Sequence, residues 1–144
     1  MKSIIILILV FMITNSLSQS QDLSSHKWKD RLILIMVTDT NIELYQKQID
    51  EFLKDERGLA ERRLKIYITT PAAYSLGLSE SNFIQSNELY KKFKGSGSEF
   101  EIILIGLDGG IKLRKTELLT LQELFVIIDG MPMRRREIIE KGKN

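Results

Sequence analysis

The chain reads as an α/β domain built on a mixed four-stranded sheet in the order 4-3-1-2, with flanking helices. Three observations carry that expectation. Leu32–Val37 and Phe100–Leu107 are apolar runs with almost no alternation, as in strands buried on both faces, whereas Leu64–Ile68 and Ile111–Arg114 alternate like edge strands. Asp108-Gly109-Gly110 is a tight turn between the third and fourth runs, which makes them antiparallel. A helical segment separates the first run from the second, and a right-handed crossover makes those two parallel.

Taken in order, Met1-Lys2 is a positive start and Ile4–Ile13 an apolar run too short to span a bilayer. Ser16-Leu17-Ser18 then places small residues where signal peptidase accepts them. Residues 1–18 are therefore expected to be a signal peptide, and the protein to be exported, periplasmic or secreted. It would meet a membrane only through that segment, if uncleaved. Residues 19–27 are polar and aperiodic, a flexible leader, and residues 28–144 form the domain. Thr40-Asn41-Ile42-Glu43 has the pattern of a capping box, followed by Ile42, Tyr45, Ile49, Phe52 and Leu53 at helical spacing and by Gly58 as a left-handed stop. Residues 72–85 show no period. Ser86–Phe93 reads as a short helix and Lys94–Ser98 as the most flexible loop. Thr120–Glu123 repeats the capping pattern before a last helix carrying Leu121, Leu124, Phe125 and Ile128, which stops at Gly130 ahead of Pro132. This arrangement is the core of a thioredoxin-like fold.

Composition removes several function classes. After residue 18 the chain has 126 residues, room for one core, with 20 basic against 19 acidic side chains. That balance lacks the basic excess of a nucleic-acid binder, so no nucleic-acid partner is expected. The chain contains no cysteine. In redox members of this fold the thiolate sits just after the first strand, where this chain has Val37-Thr38-Asp39-Thr40-Asn41, and the loop before the third strand, Gly97-Ser98-Glu99, has no proline. Thiol peroxidase and disulfide-exchange chemistry are thereby excluded.

Trp28-Lys29-Asp30-Arg31, Glu61-Arg62, Ile105 to Lys112 and Ile128-Asp129-Gly130-Met131-Pro132-Met133-Arg134-Arg135 resemble a family of small exported bacterial proteins known as a domain of unknown function. The domain is similar to one in animal sushi-repeat-containing X-linked proteins and in a coiled-coil-domain-containing matrix protein. The resemblance implies a peroxiredoxin-like fold and an extracytoplasmic setting, and no particular chemistry.

Other residue types carry little chemistry. His26, the sole histidine, falls in the leader and is assigned no role. Asp39, Asp108 and Asp129 belong to no dense acidic loop, so cap and turn roles outrank a calcium site. Met131 and Met133 read as core plugs ahead of a copper site. Arg134-Arg135-Arg136 reads as a solvated charge run, although arginine also suits bidentate anion recognition. No cofactor and no metal is expected.

Strand directions bring the family-resembling segments to one pole, opposite Asp39 and Glu99. That pole gathers Trp28, Lys29, Arg31, Arg62, Asp108, Asp129, Met133, Arg134 and Arg135. Arg31, Arg62, Asp108, Arg134 and Arg135 are the binding candidates, either as a salt-bridged plug for the end of the chain or with Arg62 or Arg134 facing an anionic group. The leading expectation is a non-catalytic binding module whose partner is an unknown protein or an anionic ligand. The alternatives are a thiol-independent enzyme using arginine and carboxylate groups, and a structural envelope or matrix component.

Overall fold

The computed structural model describes residues 22–143. The expected signal peptide and the first residues of the leader, 19–21, lie outside the described residues. The elements are β1 (Arg31–Val37), α1 (Glu43–Leu53), α2 (Glu56–Glu61), β2 (Leu64–Thr69), β3 (Ala73–Leu76), β4 (Ile84–Gln85), α3 (Glu88–Phe93), β5 (Phe100–Ile105), β6 (Ile111–Lys115), α4 (Leu121–Asp129) and α5 (Pro132–Lys141).

The sheet has six strands in the order β4-β3-β2-β1-β5-β6, so the expected four-stranded order lies intact within it. β1 and β2 are parallel, and every other neighbouring pair is antiparallel. The two extra strands come from the tract that showed no period. They are four and two residues long, too short to display an alternation. Thr70 makes the turn into β3, its Oγ1 accepting from the amides of Ala72 at 3.3 Å and Ala73 at 3.0 Å. β3 covers the edge of β2, which corrects the reading of β2 as an edge strand: only Lys65 in it is exposed.

β1 is buried along its whole length because its two faces feed two cores. Ile33, Ile35 and Val37 pack with Tyr45, Ile49 and Phe52 of α1 and with Leu124 and Ile128 of α4. Leu32, Leu34 and Met36 pack with Tyr67, Tyr74, Ile103 and Leu89 of α3, and Leu23 closes that layer from the N-terminal side. Residues 23–26 form a 3-10 turn, so this part of the expected leader is structured. His26 bridges it to the sheet, with Nδ1 2.7 Å from Asp30 Oδ2 and Nε2 2.8 Å from the Tyr67 hydroxyl.

Three local expectations are corrected, at Thr40, Gly58 and the end of the chain. Thr40 does not cap α1, which starts at Glu43 without a side-chain cap; the Asp39 carboxylate instead accepts from the Asn41 amide at 2.9 Å. Gly58 is no left-handed stop, because it lies inside α2, where the Asp55 side chain accepts from its amide at 2.8 Å. The Lys94–Ser98 loop folds around Glu101, a carboxylate only 2% exposed that accepts from Gly95 N, Ser96 N and Arg114 Nη1. α4 does stop at Gly130 as expected, with a right-handed backbone there, but it is not the last helix: after an extended Met131 a further helix, α5, begins at Pro132. Proline suits that first position because its missing N–H would have no partner there.

Candidate functional site

Arg31 opens β1 and is 1% exposed. Its Nη1 donates to the Arg62 carbonyl at 3.0 Å, and its Nη2 to Glu137 Oε1 at 3.2 Å. Arg62 follows α2 and grips Asp129 at the end of α4 with two parallel bonds, Nε to Oδ1 at 3.0 Å and Nη2 to Oδ2 at 2.6 Å. Its Nη1 donates to the Gly58 carbonyl, and its guanidinium lies 3.7 Å from the Phe125 ring centroid. Arg134 on α5 completes the chain, donating to Asp129 Oδ1 at 3.2 Å, Glu137 Oε2 at 3.1 Å and the Glu61 carbonyl at 3.0 Å. Three arginines and two carboxylates thus alternate from α2 across α4 and α5 to β1.

Burial raises the Asp129 carboxyl, but hydrogen bonds from Arg62 and Arg134 outweigh it and hold the group below its ordinary range. The same holds for Glu137, which burial raises and Arg31 and Arg134 lower further. Arg31, Arg62 and Arg134 therefore direct their donors to groups of this same chain. That is the arrangement of a plug tying α5 to the sheet.

The other two candidates stand outside this chain of ion pairs. Asp108 pairs with Lys112 at 2.8 Å and accepts from the Gly110 amide in the hairpin, where Gly109 has φ +81. It shares with Arg31 the wall of a neighbouring cavity. Arg135 is exposed and makes none of these ion pairs. Arg134 is not part of a solvated run, since it is buried while Arg135 and Arg136 are exposed. Met133 is no core plug either: it is 39% exposed, whereas Met131 packs against the first core.

Two cavities adjoin the plug. One, of about 340 Å³, has an apolar wall of Leu107, Met131, Pro132 and Met133, with Arg31, Asp108 and Lys112 beside it. The other, of about 210 Å³, is bounded by Trp28, Arg63, Arg136 and Glu140 and shares Leu107 and Met133 with the first. Leu107 and Met133 line both cavities, a larger and a smaller lobe at this pole. Trp28 at φ 67 and Arg63 at φ 53 are the two non-glycine residues with positive φ among the described residues, and both flank the smaller lobe. Bulky side chains there cost free energy, and such strain concentrates at functional positions. Backbone contacts hold them: Trp28 N donates to the Leu107 carbonyl at 2.7 Å, and Arg31 N to the Arg63 carbonyl at 2.8 Å.

Arg63, Glu137 and Glu140 carry no signal in the sequence, because nothing linear links α5, or the residue before β2, to Trp28. At the opposite pole, an open depression of about 410 Å³ is bounded by Thr38, Asp39, Thr70 and Phe83, and the Asp39 carboxylate serves Asn41. Among the described residues no group of three or more His, Asp or Glu side chains could hold a metal ion. No helix among them is long and apolar enough to cross a membrane.

A family model described as "Domain of unknown function (DUF4174)" matches residues 22–137. No curated protein matches the chain. Among solved structures, the chain is similar to a reduced 2-Cys peroxiredoxin of Plasmodium vivax, with a TM-score of 0.56 and 12% identity over 79% of this chain and 84% of that one. At that identity the likeness establishes a thioredoxin-like, peroxiredoxin-like fold and nothing of the chemistry.

Proposed function

Because the chain belongs to the DUF4174 family, a domain of unknown function, we propose its role from its own geometry: it is an exported, non-catalytic module that binds a polypeptide partner at the pole of Trp28 and α5. The observation that carries this reading is Trp28 itself, 58% exposed and set by a left-handed backbone on the wall of a groove shared with Met133 and Arg136. Tryptophan, methionine and arginine are the residue types enriched where proteins bind one another, and a costly backbone conformation that presents one of them favours an interface. At the other pole Asp39 lies in the turn after β1, accepting from the Asn41 amide, and the chain has no thiol. The exposed arginines at this pole, Arg63, Arg135 and Arg136, favour a partner segment carrying carboxylates. Export rests on the Met1–Ser18 pattern and on the resemblance to extracellular animal proteins.

A displayed library of random peptides, selected on the purified protein and counter-selected on Trp28→Ala, tests the reading. Enriched apolar segments with acidic flanks that do not bind the variant are the expected result. Failure to enrich any sequence, or equal retention by the variant, contradicts it.

A further inference from the structure

The larger lobe has a chemistry of its own. Leu107, Met131, Pro132 and Met133 give it an apolar wall, and two groups that favour an anion adjoin them. The first is the start of α5, a ten-residue helix whose N-cap position is Met131, with no side-chain hydrogen bond to its first amides. An uncapped helix start presents N–H groups and the positive end of the helix dipole. The second is Arg31. Its Nη atoms are engaged by Glu137 and the Arg62 carbonyl, but its Nε is buried and has no acceptor. A buried charged donor without an acceptor is costly and calls for an explanation. Lys112 on the same wall adds no net charge, because Asp108 beside it meets its ammonium.

Anion-favouring groups and apolar wall thus meet within a single cavity of about 340 Å³. A ligand satisfying both needs its negative charge and its apolar group on one small unit. We infer that this lobe receives the C-terminal residue of a partner chain, its free carboxylate directed at the start of α5 and Arg31 Nε and its apolar side chain against Leu107 and Met133. This rests on the proposed binding role and specifies its chemistry. Methionine side chains are unbranched and yield readily, which suits a pocket whose deepest donor is shielded from water until a ligand arrives. The smaller lobe, which shares Leu107 and Met133 with this one, accommodates the preceding residues beside Trp28.

The test uses short peptides ending in leucine or phenylalanine, the same peptides amidated, the same peptides ending in glycine, and decanoate. Binding is read by calorimetry and by the emission of Trp28, the only tryptophan of the chain. Free-acid peptides are expected to bind, and amidation or a terminal glycine to weaken binding at least about tenfold. Met133→Glu, at an exposed position, is expected to weaken binding similarly at unchanged melting temperature. Arg31→Lys, which keeps a cation for Glu137 but lacks Nε, should also weaken it. Equal binding of acid and amide, or no binding of any free-acid peptide at millimolar concentration, overturns the inference, as does binding of decanoate alone. If displayed internal segments still depend on Trp28 while free-acid peptides do not bind, this inference fails and the binding role stands. If neither binds, both fail.

Discussion

Arg62 and Asp129 face each other through two parallel hydrogen bonds, 3.0 and 2.6 Å long, while the guanidinium rests on the Phe125 ring. This pair joins the end of α2 to the end of α4, and Arg134 adds α5 through the same carboxylate. Removing Asp129 leaves Arg62, 15% exposed in its side chain, without its anion, and leaves Arg134, 8% exposed, with Glu137 alone. Because Asp129 is itself 36% exposed, water screens part of the loss. Asp129→Ala is expected to cost about 2 kcal/mol, below the full penalty for breaking a buried pair. Denaturant unfolding measures it, with Lys47→Ala as a surface control expected to leave the midpoint unmoved.

Acid should weaken the fold. Asp129 and Glu137 are both held below their ordinary values of 3.8 and 4.5. A carboxyl depressed in the folded state binds its proton more readily when unfolded, so its stabilisation is complete above the ordinary value and is lost as pH falls through the depressed one. The midpoint is therefore expected to change little from pH 7 to 5 on account of these groups, then to fall below about pH 4.5. Asp129→Asn with Glu137→Gln should flatten that acid limb. A limb of undiminished slope in the double variant would place its cause elsewhere.

Gly58 lies within a helix, where alanine is ordinarily the more stable choice. Here a Cβ would stand 2.3 Å from Asp55 Oδ2 and 2.9 Å from the Phe125 ring. Asp55 would have to abandon the amide it caps, and the ring under Arg62 would have to move. Gly58→Ala is expected to destabilise by about 1–2 kcal/mol, the scale of a lost cap plus overpacking. A raised melting temperature would contradict the close approach.

Much of this was legible in the residues because β1 and β5 are long enough for burial on both faces to appear as unbroken apolar runs. The Asp108-Gly109-Gly110 turn and the Thr120 cap were legible because their chemistry is local; Thr120 Oγ1 accepts from Glu123 N at 3.2 Å. The rest depended on tertiary contacts. β3 and β4 are held by pairing rather than by pattern. His26 owes its order to Asp30 and to a hydroxyl 41 positions away. α5 was obscured because Pro132 and the arginine run resemble a loop until Arg134 is seen to be buried between Asp129 and Glu137. The convergence of Arg62, Asp129 and Arg134 followed from strand directions, whereas the groove beside them needed Arg63 and Trp28 in conformations that no residue type announces.

The most direct measurement compares the two poles of the molecule. A segment enriched by selection on the protein is titrated against Trp28→Ala and against Asp39→Ala, each first checked for an unchanged melting temperature. At least about a tenfold loss of affinity in Trp28→Ala with none in Asp39→Ala is the predicted result. Loss confined to Asp39→Ala would place binding at the opposite pole and contradict the account.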